Sequence, residues 1–189
     1  MSTLPKTFLT PEEYLEIERK AETKSEYFQG RMFAMAGARE GHNLIVAHII
    51  AQLDQQFRSR PCRVYASDMR VCVNAFGLYT YPDVVAVCGD RKFLDGQMDT
   101  LLNPNLIVEV LSPSTEAYDR TRKSEYYCSI ESLRDYLVVS SGRVHAERFT
   151  RGADGLWART EAGRLEETLE LPSVGCTLQL ADLYDKVEF

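Results

Sequence analysis

The chain lacks any apolar run of about 20 residues, the length that a membrane-spanning helix needs. It also lacks a phosphate-binding P-loop and a dinucleotide-binding fingerprint, so nucleotide-driven chemistry is not indicated. Residues 1–6 have none of the apolar core of a secretory signal, and a helix-start signature follows at Thr10. We therefore predict a cytoplasmic protein.

Cysteine and histidine are sparse, and neither forms a metal-ligand pattern. The five cysteines are widely spaced and contain no C-x-x-C pair, and the chain has three histidines. His42 and His48 lack the i, i+4 spacing that places two ligands on one face of a helix. We expect reduced thiols with structural roles and no zinc site.

Basic residues are fewer than acidic ones. The chain has 22 Lys and Arg against 28 Asp and Glu, which gives a net charge of −6. Because phosphate contacts rely on lysine and arginine, this balance disfavours nucleic-acid binding by bulk electrostatics. Any nucleic-acid role must therefore rest on a local site. Residues 119–123 (DRTRK) form a dense basic run, which is typical of a solvated helix face unless a functional site lies next to it.

The length of 189 residues fits one domain, residues 1–189, with a substantial core. A capping signature predicts a helix over 11–21. Residues 25–35 have the composition of a β-hairpin. Apolar residues at three- and four-residue spacing predict a helix over 40–57 that covers a sheet.

The rest of the chain is predicted as short strands, with a long loop over 89–104 and a helix over 116–130. The predicted strands cover residues 63–65, 68–73, a segment from 81, 106–111, 135–139, 143–150, 156–160 and 165–171. The strand, helix and strand over 106–139 indicate a parallel crossover, whereas the earlier strands favour antiparallel pairing. We therefore predict an α/β (α+β) fold with a mixed sheet flanked by helices and extra C-terminal strands at its edge.

Two acids stand in otherwise apolar strands. Asp83 follows Pro82 and precedes the apolar run 84–87, and Glu109 lies inside the run 106–111. An ionised carboxylate in an apolar setting is costly unless a cation or hydrogen bonds compensate it. If the two strands are neighbours, both carboxylates can meet at one edge of the sheet. Two carboxylates and a backbone carbonyl suit magnesium or manganese, which would then face a phosphate.

Plainer explanations exist for each of these residues. Asp83 alone fits a turn at a strand start, and Glu109 alone fits half of a buried ion pair. Asp68 is another acid at a strand start, where a turn role is more common. Tyr126 and Tyr127 could stack on nucleic-acid bases, although rings on a helix that faces a sheet more often belong to the core.

Residues 81–85 (YPDVV) and 103–115 (NPNLIVEVLSPST) resemble the Uma-type restriction endonucleases, within the PD-D/E-x-K nuclease superfamily. The second string is specific, whereas the two acids alone would be weak evidence. The resemblance extends over most of the chain, at Glu26 with Gly30, residues 37–42, 67–68, Asp119, Lys123, Tyr126 and residues 135–139. It implies a restriction-endonuclease-like core, in agreement with the order of elements predicted above.

The resemblance also implies the metal ligands. It places the first acid of the motif on Asp83 and the second on Glu109, with the Val110 carbonyl as a third ligand. Glu26 is a further candidate catalytic carboxylate, although a surface salt bridge explains it equally well.

The lysine of the motif is where the match departs from the common pattern. The usual lysine position falls on Leu111, and an aliphatic side chain cannot orient or deprotonate a water. Some branches of the superfamily carry this lysine on the following helix, where this chain has Lys123. Arg120 is a weaker substitute.

The leading hypothesis is a magnesium- or manganese-dependent endonuclease that hydrolyses DNA, single or double stranded, as a homodimer. In this hypothesis the metal polarises the scissile phosphate and the ammonium of Lys123 positions the attacking water. The alternative is a catalytically impaired nuclease-fold protein that acts as a nucleic-acid-binding or interaction module. It is motivated by Leu111 and by the acidic net charge. The position of Lys123 relative to Asp83 and Glu109 distinguishes the two hypotheses.

Overall fold

The computed structural model describes residues 8–111 and 123–189. The helices of this part of the chain are α1 (Pro11–Glu18), α2 (Glu40–Phe57), α3 (Ser124–Cys128) and α4 (Leu180–Leu183). The strands are β1 (Ser25–Phe28), β2 (Arg31–Ala34), β3 (Cys62–Ala66), β4 (Arg70–Val73), β5 (Leu78–Thr80), β6 (Val84–Cys88), β7 (Thr100–Leu101), β8 (Leu106–Leu111), β9 (Asp135–Ser140), β10 (Ala146–Arg151), β11 (Trp157–Ala162), β12 (Thr168–Leu171) and β13 (Cys176–Gln179). None of the helices described has the length and apolar character needed to cross a bilayer.

The described strands form two large sheets and one hairpin. The first sheet has the order β2-β1-β5-β4-β7, the second has the order β11-β10-β9-β8-β6-β3, and β12 pairs with β13. Both large sheets are mixed: β4 is parallel to β7, and β8 is parallel to β9, whereas the other pairs are antiparallel. The α+β class and the parallel crossover predicted from the sequence are therefore confirmed. The C-terminal strands β10 and β11 extend one edge of the second sheet, also as predicted.

The predicted N-terminal elements are confirmed. At the start of α1, the Thr10 hydroxyl accepts from the Glu13 amide and the Glu13 carboxylate accepts from the Thr10 amide. The helix ends at Glu18, three residues earlier than predicted (21 minus 18). The β1–β2 hairpin turns at Gln29 and Gly30, which have positive φ values of 46° and 86°, as a tight hairpin turn requires.

Two apolar layers enclose the second sheet. The first layer lies between this sheet and α2, whose buried face consists of Ile45, Ile49, Leu53 and Phe57. Each of these side chains contributes about 1.5–3 kcal/mol by burial. The second layer lies between the two large sheets. Successive side chains of a strand point to opposite faces, so residues of β6 and β8 enter the two layers alternately.

The structure corrects three predicted elements. The strand expected from Tyr81 is two strands in different sheets, β5 and β6, and the link 81–83 joins them. The loop predicted over 89–104 contains the short strand β7, which pairs with β4. The helix predicted over 116–130 ends at Cys128, and its residues before 123 lie outside the described residues.

The cysteine prediction was wrong for two of the five residues. Cys62 and Cys88 form a disulfide that joins β3 to β6. The antiparallel register of these strands places the two residues directly opposite each other, with their Cα atoms 4.0 Å apart. Their spacing along the sequence carries no local signal, because only the strand pairing brings them together. The other three cysteines are free thiols.

Candidate functional site

The link between β5 and β6 carries the first acid of the motif from one large sheet to the other. Tyr81, at its start, is buried, and its hydroxyl donates to Glu18 Oε1 and accepts from Arg70 Nε, both at 2.9 Å. Burial is the main cause that raises the pKa of Tyr81 to about 12, so the hydroxyl stays protonated at neutral pH. These contacts fix the link directly before Asp83.

Asp83 lies directly before β6, which is beside β8. The condition set in the sequence analysis, that these strands are neighbours, is met: Val84 pairs with Val108 in antiparallel register, and one further step of that register places Asp83 opposite Glu109. The Asp83 Oδ2 atom accepts from the Val110 amide at 2.7 Å and lies 3.1 Å from His42 Nε2. Both polar contacts that Asp83 makes with described residues thus involve Oδ2. Its side chain is 18% exposed.

Glu109 and Glu26 share one ammonium group. Lys123 Nζ lies 3.1 Å from Glu26 Oε1 and 3.3 Å from Glu109 Oε1. Glu26 belongs to β1 of the first sheet, Glu109 belongs to β8 of the second sheet, and Lys123 directly precedes α3. The three side chains are 15%, 6% and 10% exposed, respectively. The ammonium is therefore a nearly buried bridge between two sheets.

Two hydroxyl groups complete a ring of side chains. Tyr127 Oη donates to Glu109 Oε1 at 2.6 Å, Thr80 Oγ1 donates to Glu26 Oε1 at 2.5 Å, and the two hydroxyl oxygens lie 3.3 Å apart. Burial, reinforced by the charge of Glu109, raises the pKa of Tyr127 well above its usual value. Tyr127 therefore stays protonated and acts as a donor. We call Glu26, Thr80, Glu109, Lys123 and Tyr127 the polar ring.

Carboxylates outnumber ammonium groups among the described side chains of this region. The polar ring holds two carboxylates and one ammonium, and Asp83 adds a third carboxylate at the neighbouring strand end. Nearly buried carboxylates are stable when cations or hydrogen bonds compensate them, and a divalent cation can serve in this way.

The side chains of the site suit a metal that binds one or two protein carboxylates and several waters, rather than a metal enclosed by protein ligands. Among residues 8–111 and 123–189, no three His, Cys, Asp or Glu side chains group together in a way that could hold a metal. Magnesium, however, usually takes only one or two protein carboxylates and keeps several waters. Asp83 and Glu109 fit that requirement. The Val110 carbonyl stays a prediction as the third ligand; the amide of the same residue contacts Asp83.

Other residues discussed from the sequence fall outside the polar ring. Leu111 is buried in the apolar layer between the two sheets, so it supplies no polar group to the site. The side chain of Asp68 is 92% exposed and pairs with Lys24, which agrees with a turn role. His48 contacts the carbonyl of Leu183. Arg120 lies outside the described residues.

Sequence reasoning left three contacts unassigned. The sequence analysis excluded a metal pair of His42 with His48 and gave His42 no other role, and the structure places it against Asp83. Tyr127 was expected to be core: it is fully buried, but its hydroxyl also belongs to the polar ring. Thr80 carried no signal, although it stands directly before the YPDVV string.

Comparison with solved structures shows the fold. A chain described as "a putative nuclease belonging to DUF820", from Anabaena variabilis ATCC 29413, superimposes with a TM-score of 0.77. The alignment covers 95% of this chain and 99% of that chain, at 15% sequence identity. At this identity the likeness shows the fold, which is that of a protein described as a nuclease.

The family follows from the sequence itself. A family model described as "Uma2: Putative restriction endonuclease" matches residues 11–181. The chain belongs to this Uma2 family, which confirms the resemblance inferred from residues 81–85 and 103–115. Two similar proteins from Synechocystis are called "Uncharacterized protein slr1290" and "Uncharacterized protein sll1609". The first is 35% identical over 96% of this chain and 94% of its own length, and the second is 34% identical over 81% and 86%.

Proposed function

We propose that this protein is a magnesium- or manganese-dependent endonuclease that hydrolyses phosphodiester bonds of DNA. One observation carries the proposal: Lys123 Nζ lies 3.3 Å from Glu109 Oε1, so an ammonium reaches the second acid of the motif although Leu111 occupies the usual lysine position. Family membership supports the reaction class, and the carboxylates of Asp83 and Glu109 support a divalent cation.

Asp83, Glu109 and the Val110 carbonyl would hold the metal. When bound, magnesium or manganese would polarise the scissile phosphate and lower the pKa of a water. The Val110 amide and His42 hold Asp83 through Oδ2, which limits the rotation of its carboxylate. Tyr127 holds Glu109 in the same way through Oε1.

Lys123 has the catalytic role of orienting the attacking water and stabilising negative charge that develops on the phosphate. Glu26 keeps the ammonium beside Glu109, because Lys123 Nζ lies 3.1 Å from its carboxylate and Thr80 fixes the same oxygen. Each acid and the lysine come from a different element, so the site requires both large sheets to be docked. We further propose a homodimer, in which two copies would cut two strands.

A second function is favoured by the pairing of Lys123 with two carboxylates. A buried ammonium held by two acids is also the arrangement of a structural ion pair, which has no need of a substrate. In that case the chain is a nuclease-fold protein that binds nucleic acid or a partner without cleaving it.

The test is a cleavage assay on supercoiled and single-stranded DNA, with magnesium or manganese, using wild type, Asp83→Asn, Glu109→Gln and Lys123→Ala. Loss of one transition-state donor costs about 100- to 1,000-fold in rate, and we expect losses of at least this size for all three variants. Glu147→Gln is the matched control, because Glu147 is a buried acid on β10 outside the polar ring.

Circular dichroism and urea unfolding show whether each variant is folded under the assay conditions. Cleavage at the wild-type rate by folded Asp83→Asn and Glu109→Gln would refute the site assignment. Binding of DNA by wild type, without cleavage under either metal, would favour the second function.

A further inference from the structure

Exposed aromatic side chains lie next to the polar ring. On β1, Glu26 and Phe28 point to the same face, because they are two residues apart. Phe33 of β2 pairs directly with Glu26, and directly opposed residues of antiparallel strands share a face and lie within about 5.5 Å at Cβ. Phe33 is 49% exposed. A large ring is thus presented to solvent beside a proposed catalytic carboxylate.

A second aromatic group lies along the same strand face. The Phe28 ring packs 5.2 Å from the Tyr126 ring, and the Phe76 ring packs 4.7 Å from Tyr126, measured between centroids. Tyr126 belongs to α3, directly before Tyr127 of the polar ring. Phe76 is 39% exposed. Its ring packs on Tyr126, which in turn packs on Phe28, so Phe76 is supported before any ligand binds.

We infer that Phe33 and Phe76 stack on unpaired bases, and that the preferred substrate of the site is single-stranded DNA. This inference rests on the proposed function, since the rings would hold the nucleotides that flank the scissile phosphate. A base stacked on an aromatic side chain must leave its own stack, which a single strand permits at little cost and a duplex does not. Stacking tolerates any base, because every base has a π-face.

The exposed cation beside the rings favours a nucleic acid over a second protein copy. Arg31 pairs with Phe28 across the hairpin, is exposed, and its guanidinium lies 5.7 Å from the centroid of the Phe8 ring. A cation beside exposed rings can serve the phosphates and the bases of a single strand. Phe33 neighbours Glu26 across the hairpin, whereas Phe76 is connected to β1 through Tyr126 and Phe28, so the two rings occupy separate positions, as separate nucleotides of one strand require.

The test measures binding of a fluorescein-labelled oligothymidylate by anisotropy, with calcium in place of magnesium so that binding is measured without turnover. We expect Phe33→Leu and Phe76→Leu to weaken binding by about 5- to 100-fold each, the range for loss of one stacked base. Leucine keeps the apolar surface and removes only the ring. Phe189→Leu is the matched control: Phe189 is 65% exposed and packs against Tyr184, so binding should not change.

A tryptophan variant allows a fluorescence measurement that is specific for stacking. The chain has a single tryptophan, so Phe33→Trp adds a second fluorophore at the proposed contact. We expect it to bind like wild type and to show fluorescence quenching that wild type does not show when the oligonucleotide is added. Unchanged fluorescence together with unchanged binding in both leucine variants would overturn the inference.

The remaining outcomes separate this inference from the proposed function. If wild type cleaves duplex DNA and the leucine variants cleave and bind every substrate equally well, the inference fails and the nuclease proposal stands. If wild type binds single strands through the rings and cleaves nothing, hydrolysis fails and the binding surface stands. If the leucine variants change only the molar mass measured by light scattering, the rings form an interface between copies and the inference is wrong.

Discussion

Replacing Tyr127 by phenylalanine tests whether the polar ring stabilises the fold. The change removes one hydroxyl and keeps the ring that packs against Tyr136, with centroids 5.5 Å apart. Tyr127 is fully buried, so no water can take the place of the lost donor. The variant therefore isolates the hydrogen bond to Glu109.

The size of the effect follows from the contact. The 2.6 Å distance from Tyr127 Oη to Glu109 Oε1 is that of a hydroxyl bound to an ionised carboxylate. Hydrogen bonds to charged groups contribute about 1.5–3 kcal/mol. Lys123 stays beside Glu109, so the carboxylate keeps a charged partner and the loss should remain in this range. In a chain of this length, a loss of about 2 kcal/mol lowers Tm by roughly 4–8 °C.

Urea unfolding, followed by circular dichroism at pH 7, measures this loss. The matched control is Tyr65→Phe: the Tyr65 hydroxyl is also buried, but it has no hydrogen-bond partner in the structure as described. Removing a buried, unsatisfied hydroxyl is neutral or stabilising. The two variants make the same chemical change and should shift stability in different directions or by clearly different amounts.

Equal unfolding free energies for wild type and Tyr127→Phe would refute the reasoning, because a buried carboxylate cannot lose a charge-assisted bond without cost. An equal loss in both variants would show that the cost comes from removing any buried tyrosine hydroxyl and not from the hydrogen bond within the polar ring.

Three further predictions concern other contacts. Reduction of the Cys62–Cys88 disulfide should lower the free energy of unfolding by about 2–4 kcal/mol, and thiol titration of the oxidised, unfolded chain should detect three thiols instead of five. Hydrogen bonds from Arg19 are the main cause that lowers the pKa of Asp99 to about 2. The stability advantage of wild type over Asp99→Asn should therefore be present above about pH 4 and disappear as the pH falls through about 2, as urea unfolding at several pH values can show. His42→Ala should weaken manganese binding, measured by calorimetry, by about 10-fold or more, because a side chain that holds a metal ligand fixes its orientation; unchanged affinity would show that His42 does not orient Asp83 for a metal.

The sequence predicted well those features that depend on neighbours along the chain. The bounds of α2 follow from the spacing of its apolar residues, and the hairpin from its turn, so both could be read locally. The adjacency of β6 and β8 entered the sequence analysis only as a condition, and the structure supplies it. The resemblance then predicted that Lys123 replaces the lysine absent at Leu111, and the structure places its ammonium beside Glu109.

The features that were missed depend on contacts between distant segments. The Cys62–Cys88 disulfide depends on the register of β3 with β6. Thr80 contacts Glu26 in the polar ring only because β5 pairs with β1. The sequence predicts one strand starting near Tyr81. In the structure, the chain passes from the first sheet to the second at residues 81–83. This change of sheet depends on the pairing of distant strands, which the strand propensity of the local residues does not determine.

The division of the polar ring between two sheets has a mechanical consequence. Glu26 and Thr80 move with the first sheet, and Glu109 moves with the second, so a small slip along their shared apolar layer would separate Lys123 from one of its acids. The polar ring is thus assembled only when the layer between the two sheets is fully packed. Mild denaturation that loosens this layer should abolish any activity of the site, while α2 and the apolar layer between α2 and the second sheet remain folded.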